Sequence, residues 1–228
     1  MGALRKRRGR LYYLLVTLVL FMVLYSFSTR SLVERTILDI VVLGILVSVV
    51  VLVKQTRRSL IISLVLGIPW VTATFSGLFA EAGGYVDITA GVFGTMFLFY
   101  ITSVILQNVI RSRQVTVDTI SGAIAAYLLL GILWAGAYRL LDVVQPGSFA
   151  GQTRAISQPG AEVPNYVYFS FTTLTTLGYG DITPATPPAK VIAILEAVTG
   201  PLYITILISQ LVSKYVSRGL KRDVEEDI

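Results

Sequence analysis

The chain has 228 residues, of which 54% are hydrophobic and 14% charged, against about 25% charged in ordinary soluble domains. That composition excludes a solvated globule and calls for lipid. Cysteine and histidine are both absent, which excludes disulfides, Cys/His zinc sites, haem held by either residue, and Ser-His or Cys-His catalysis; neither an enzyme nor a cofactor is expected. The formal charge of +6 lies between apolar runs, where it sets topology, and does not indicate nucleic-acid binding.

In chain order, five basic residues (Arg5, Lys6, Arg7, Arg8 and Arg10) precede a first apolar run, 11–27. No Ala-x-Ala-like cleavage site follows it, so it is read as a retained span and not as a signal peptide. Further runs occupy 36–53, 60–79, 86–110, 120–141 and 191–215. Each approaches the ~20 residues that a helix needs to cross the hydrocarbon core, and six spans are expected. Lys54, Arg57, Arg58, Arg111, Arg113, Lys214, Arg218, Lys221 and Arg222 fall on the same side as the basic start. The turn after the third run carries only Glu81 and Asp87. Positive charge favours the cytoplasmic side, which places both termini there. Asp39 in the second run is read as a helix-end acid near the headgroups.

The fourth run, 86–110, contains neither Arg nor Lys. Sensing voltage requires charge that moves through the field, worth about 2.3 kcal/mol per charge per 100 mV. Conventional voltage gating is therefore not expected, and Ala90, Gly91 and Gly94 suit close helix packing instead. Pro69 should kink the third span, and Trp70 reads as packing or an anchor. Small residues at Gly122, Ala125, Ala126, Gly131 and Ala135 permit tight contact along the fifth span.

The segment 145–163 is rich in Gly, Pro and Ser and reads as an exposed loop. Pro164 suits the first turn of a helix, and 165–175 is too short to cross a bilayer. A short helix followed by non-helical backbone at membrane depth is tolerated only where it is buried in protein or lines a water-filled cavity. Residues 172–181 read Thr-Thr-Leu-Thr-Thr-Leu-Gly-Tyr-Gly-Asp. No Lys comes after them as a P-loop requires, and no third glycine arrives at dinucleotide spacing. Alternating Gly178 and Gly180 with Leu177 and Tyr179 lets an extended backbone turn its carbonyls to one side. Rings of such carbonyls can replace the hydration shell of a cation.

Residues 176–181, Thr-Leu-Gly-Tyr-Gly-Asp, resemble the selectivity-filter signature of the potassium channel superfamily. The frame suggests a six-transmembrane, single-pore-loop prokaryotic-type channel without an arginine-rich voltage sensor. The resemblance covers roughly the last half of the chain. It implies that the carbonyls of Thr176, Leu177, Gly178 and Tyr179, with the Thr176 hydroxyl, form successive K+ sites, with Gly180 completing the strand. It further implies that Tyr179 braces the strand against the pore helix, that Thr172 and Thr175 support it, and that Asp181 anchors its outer end. Four chains would close the rings, giving a homotetramer. Two departures stand out: Leu177 where valine is commonest, and Tyr168-Phe169 where many relatives place tryptophans.

Glu196, an acid within the sixth span, is a candidate gating residue. It either faces the cavity and concentrates cations or hydrogen-bonds hydroxyls such as Thr172 behind the filter; the second is favoured. Gly200-Pro201 joins a flexible residue to a helix breaker and is read as a gating hinge or a static kink.

The expected fold is an all-α integral membrane protein: six transmembrane helices, a re-entrant pore helix and filter loop, and a tetrameric pore. Residues 1–110 would form a four-helix domain, 111–119 a linker, and 120–216 the pore domain, with pore helix 164–175 and filter 176–181. Residues 217–228 would be a short cytoplasmic tail. The expected function is passive, potassium-selective permeation in the plasma membrane, with K+ and lipids as partners. The alternatives are a weakly selective cation channel and a secondary cation transporter subunit. Tyr179 argues against the first, and the absence of two related halves argues against the second.

Overall fold

The computed structural model describes residues 10–26, 57–79, 84–112, 115–151 and 162–226. The expected second span, 36–53, and Asp39 lie outside them, as do most of the 145–163 loop and the first basic residues. The described elements are α1 (Arg10–Ser26), α2 (Arg57–Phe79), α3 (Gly84–Arg111), α4 (Val117–Val144), β1 (Phe149–Gly151), α5 (Glu162–Leu174), β2 (Ile182–Pro184) and α6 (Pro187–Glu226).

The expectation of six crossings does not hold. Among the described residues three helices are long and apolar enough to cross a membrane: Tyr85–Arg111, Val117–Val144 and Pro187–Gln210. Within the described residues α1 offers the apolar stretch Leu11–Val23. The helix α2 holds Pro69 in its interior and is not one of the three. The six-span expectation rests on apolar runs alone, and only three described helices meet both the length and the hydropathy of a crossing.

Local chemistry sets the ends of α4. Thr116 sits in extended backbone, φ −122° and ψ 163°, and its hydroxyl accepts from Thr119 N at 3.2 Å, capping the first turn. Asp118 in that turn suits the positive end of the helix dipole. It also accepts from Leu11 N at 3.1 Å, tying the start of α1 to the start of α4.

Helix α4 is the hub. It packs against α1, α3, α5 and α6, and α2 packs on α3. Along its first half it shares a core with α1 and α3: Leu14 and Leu18, then Phe97, Ile101, Ile105 and Val109, close on Ala123, Ala125, Ala126 and Leu129. Along its second half it shares another with α5 and α6, where Ala135 and Tyr138 meet Phe149, Tyr166, Phe169 and Ala189. Trp70 is packing, its ring 5.6 Å from that of Phe97. In α3, Asp87 meets Arg139 of α4 at 3.5 Å.

Between α4 and α6 lies a feature that the sequence did not suggest. Strands β1 and β2 pair antiparallel, Phe149 with Pro184, Ala150 with Thr183 and Gly151 with Ile182. This ribbon joins the segment entering α5 to the segment leaving the 176–181 loop, so the two ends of the excursion are held together.

Candidate functional site

Helix α5 has 13 residues, a length of about 20 Å against a hydrocarbon core of about 30 Å. It therefore ends within the protein, and its last carbonyls need partners. Thr172 O accepts from Leu177 N at 2.8 Å and Gly178 N at 3.0 Å, while Thr173 O accepts from Thr176 N at 2.9 Å. The chain turns on these bonds. Thr176 has φ +61°, Gly178 +52° and Gly180 +77°. Alternate residues thus occupy the left-handed region while Leu177 and Tyr179 do not. Two of the three are glycines, which reach that region freely. Thr176 is β-branched and does not, so its backbone is strained by about 1–3 kcal/mol.

The loop is open on its front. Residues 175–181 are exposed, with Leu177 at 55% and Tyr179 at 66%. Tyr179 does not insert behind the strand. Its ring stacks on Tyr168 of α5, centroids 6.4 Å apart and planes 5° apart. The Tyr168 hydroxyl donates to Asp181 Oδ2 at 2.8 Å, and Asp181 Oδ1 accepts from Ile182 N at 3.0 Å. The carboxylate accepting its proton holds the Tyr168 phenol above its usual range. At the position where the resemblance leads one to expect tryptophan, a tyrosine thus reaches the acid of the loop.

Behind the loop the contacts are denser. Glu196 is fully buried. Its Oε1 lies 2.5 Å from Ser170 Oγ, and its Oε2 accepts from the Tyr138 hydroxyl. Glu196 thus meets hydroxyls of α4 and α5, but not that of Thr172, which donates to Phe169 O at 2.9 Å within α5. Thr175 likewise bonds within α5, donating to Phe171 O at 2.6 Å. On the entry side, Asp142 of α4 accepts from Tyr166 at 2.6 Å and from Ser148 N at 2.9 Å. Ser148 O accepts from Ala185 N at 2.8 Å, beyond the loop.

Gly200 has a specific neighbour. A Cβ built there would lie 1.9 Å from Leu174 O, the last carbonyl of α5. The backbone of α6 thus seats the end of α5, and Tyr127 reaches the same carbonyl from α4 at 3.4 Å. Helix α6 runs unbroken through Gly200 and Pro201.

The sequence did not single out Tyr138, Ser170, Asp142 or Tyr127 as part of this site. The signal for each was a polar group inside an otherwise apolar run. Among the described residues no group of three or more Asp or Glu side chains stands ready to hold a metal ion. What the loop offers a cation is backbone oxygen.

Residues 126–217 match the family described as ion channel. Over 84 residues the chain is 38% identical to a two pore potassium channel c of Oryza sativa subsp. japonica, a match covering 37% of this chain and 18% of that protein. The chain thus spans under a fifth of the length of that relative. No solved structure matches. With its long apolar helices, the chain is a multi-pass membrane protein, and its residues 126–217 are similar to the ion channel family.

These findings correct the expected architecture. The relative is a two pore channel, so a six-span, single-pore-loop prokaryotic-type channel is not what the match supports. The homotetramer rested on one pore loop in each of four identical chains, and it falls with that premise.

Proposed function

We propose that the chain contributes to a potassium-selective conduction path, with the backbone carbonyls of Thr176, Leu177, Gly178 and Tyr179 and the Thr176 hydroxyl as the ion sites. The observation that carries this reading is the run of left-handed residues at 176, 178 and 180, on a loop whose front is exposed and whose back is fixed. Alternating conformation turns successive carbonyls toward one side, which a chain of ordinary extended residues does not do. Gly180 and Asp181 end the strand, and Thr172 and Thr175 stabilise the turn beneath it. The potassium channel matched over 84 residues adds weight from outside the geometry.

One loop makes one wall. Further copies of the loop complete the path, so the working protein is an oligomer. Residues 120–216 carry the conduction path, and the described helices before them pack beside it. Basic residues flanking the spans favour cytoplasmic termini in the plasma membrane.

The test is potassium flux into liposomes holding the purified full chain, with a permeant counter-ion, compared with sodium flux. Gly178→Ala forces a Cβ into φ +52°, which costs about 1–2 kcal/mol for an L-residue. It should abolish potassium flux while the protein still inserts and assembles. Normal flux from that variant would sink the carbonyl reading.

A further inference from the structure

Each contact around Glu196 has a hydrogen of its own only if the acid carries a proton. Three oxygen–oxygen contacts run in a line across three helices. Gly131 O of α4 lies 2.7 Å from Ser170 Oγ of α5, Ser170 Oγ lies 2.5 Å from Glu196 Oε1, and Glu196 Oε2 meets the Tyr138 hydroxyl of α4. Each contact needs one hydrogen. A carbonyl supplies none, while a serine and a tyrosine hydroxyl supply one each. An ionised carboxylate adds none, so the single Ser170 hydrogen would have to be shared between Gly131 O and Glu196 Oε1. A carboxylic acid adds the missing hydrogen. Glu196 Oε1 then donates to Ser170, Ser170 donates to Gly131 O, and Tyr138 donates to Glu196 Oε2.

Charge leads to the same protonation state. Glu196 is 0% exposed, and no Lys or Arg is among the groups that act on it. A buried carboxylate without a cation is costly. The titratable groups facing it from α4 are Tyr138, its bonded partner, and Tyr127, which acts on it through space. From α5 it meets the Ser170 hydroxyl; Tyr166 and Tyr168 on that helix are turned to Asp142 and Asp181. Arg139, next to Tyr138, pairs with Asp87 on α3. On α6 itself Lys190 is exposed at the first turn.

We propose that Glu196 is a proton-binding site, and that the bound proton fastens α5, and with it the 176–181 loop, to α4 and α6. The consequence for conduction rests on the function proposed above; the protonation itself does not. The sign is fixed by the count. The fastening is complete while the acid is protonated and is one bond short once rising pH removes the proton. Ser170 must then share its hydrogen between Gly131 O and Glu196, directly beneath Leu174 and the loop.

Infrared difference spectroscopy on the full chain in lipid at neutral pH tests the first half. The expected result is the carbonyl stretch of an un-ionised carboxylic acid that shifts with 13C-labelled glutamate and vanishes in Glu196→Gln. Tyr138→Phe leaves the acid in place but removes its hydrogen-bond donor, so the same band should move. This second variant keeps the test open if Glu196→Gln fails to fold. A neutral-pH spectrum without that band overturns the proposal.

Potassium flux against pH tests the second half. Gln is a copy of the protonated state, because its amide donates to Ser170 while its oxygen accepts from Tyr138. Wild-type flux should fall as pH rises, by about tenfold per unit once the proton begins to leave, whereas flux through Glu196→Gln should not vary with pH. Identical pH profiles for the two would overturn the fastening. An acid band together with no potassium flux at any pH in any variant would leave the proton site standing and refute the conduction path instead.

Discussion

The two cores that share α4 are held by different means. Around its first half, α1 and α3 close on α4 through aliphatic and alanine contacts. The polar ties on that side end on backbone or at a helix end, as with Tyr203 to Ala123 O and Asp118 to Leu11 N. Around its second half, side-chain carboxylates are held by hydroxyls from other helices: Glu196 by Tyr138 and Ser170, Asp142 by Tyr166, Asp181 by Tyr168. Lipid tails are as apolar as leucine, so apolar packing between helices in a membrane fixes position weakly. Directional bonds fix it to a few tenths of an ångström. The half that carries the 176–181 loop is the half built from directional bonds between side chains, and from the first half Tyr127 reaches its base at Leu174 O.

The largest break should come from Gly200. If this residue served only as a hinge, Gly200→Ala would stiffen α6 and leave assembly alone. A Cβ there meets Leu174 O at 1.9 Å, and that neighbour is backbone that cannot swing aside. The end of α5 or the course of α6 must move, at or above the upper end of the ~1–3 kcal/mol of ordinary overpacking. Loss of flux together with a lowered thermal midpoint in detergent is expected. A variant with wild-type stability and altered open times would restore the hinge.

The converse break is Ile101→Ala in the apolar half. Ile101 is 0% exposed, and truncations of this size in cores cost about 2–5 kcal/mol. Lipid can fill part of the gap, so the lower end is expected. The comparison predicts a lower thermal midpoint with the potassium-to-sodium preference unchanged, read in the same liposomes. A shift in selectivity would show that the two halves are coupled more tightly than their contacts indicate.

How much of this was legible beforehand depends on the range of each interaction. The 176–181 loop is local: two of its three left-handed residues, Gly178 and Gly180, lack a Cβ, which sequence shows directly, whereas Thr176 carries no such sign. The burial of Glu196 was also readable, because an acid in an apolar run must find a partner. The partner was not. Tyr138 and Ser170 stand 58 and 26 residues away, and no spacing links them to Glu196. Thr172 was the nearer guess and failed because a threonine near a helix end satisfies its hydroxyl on its own helix. The β1–β2 ribbon was hidden for the same reason, since three-residue strands carry almost no periodicity. The span count went wrong because apolar composition was read as crossing length.

The finest test of the comparison lies at the outer end of the loop, where a directional bond is exposed to solvent. Tyr168→Phe keeps the ring that stacks on Tyr179 and removes only the hydroxyl that reaches Asp181. Stability should not change measurably, because an exposed hydrogen bond to a carboxylate competes with water. The effect should appear in the loop alone. Without the Tyr168 hydroxyl, Asp181 keeps its bond to Ile182 N but loses its tie to α5. The outer end of the strand should then exchange amide hydrogens faster and hold the conducting arrangement for shorter times, while ion preference, set deeper by Thr176 to Gly178, persists. The pH dependence offers a second reading. The bond needs the phenol protonated, and Asp181 keeps it so beyond the ordinary tyrosine range of about pH 10. Wild type and Tyr168→Phe should therefore differ at neutral pH and converge only in strong alkali, as the phenol ionises and the bond is lost from wild type too. Open durations in planar bilayers measure this directly. Equal durations for both proteins at neutral pH would mean that the outer bond does not hold the loop, and that the buried ties behind it are sufficient.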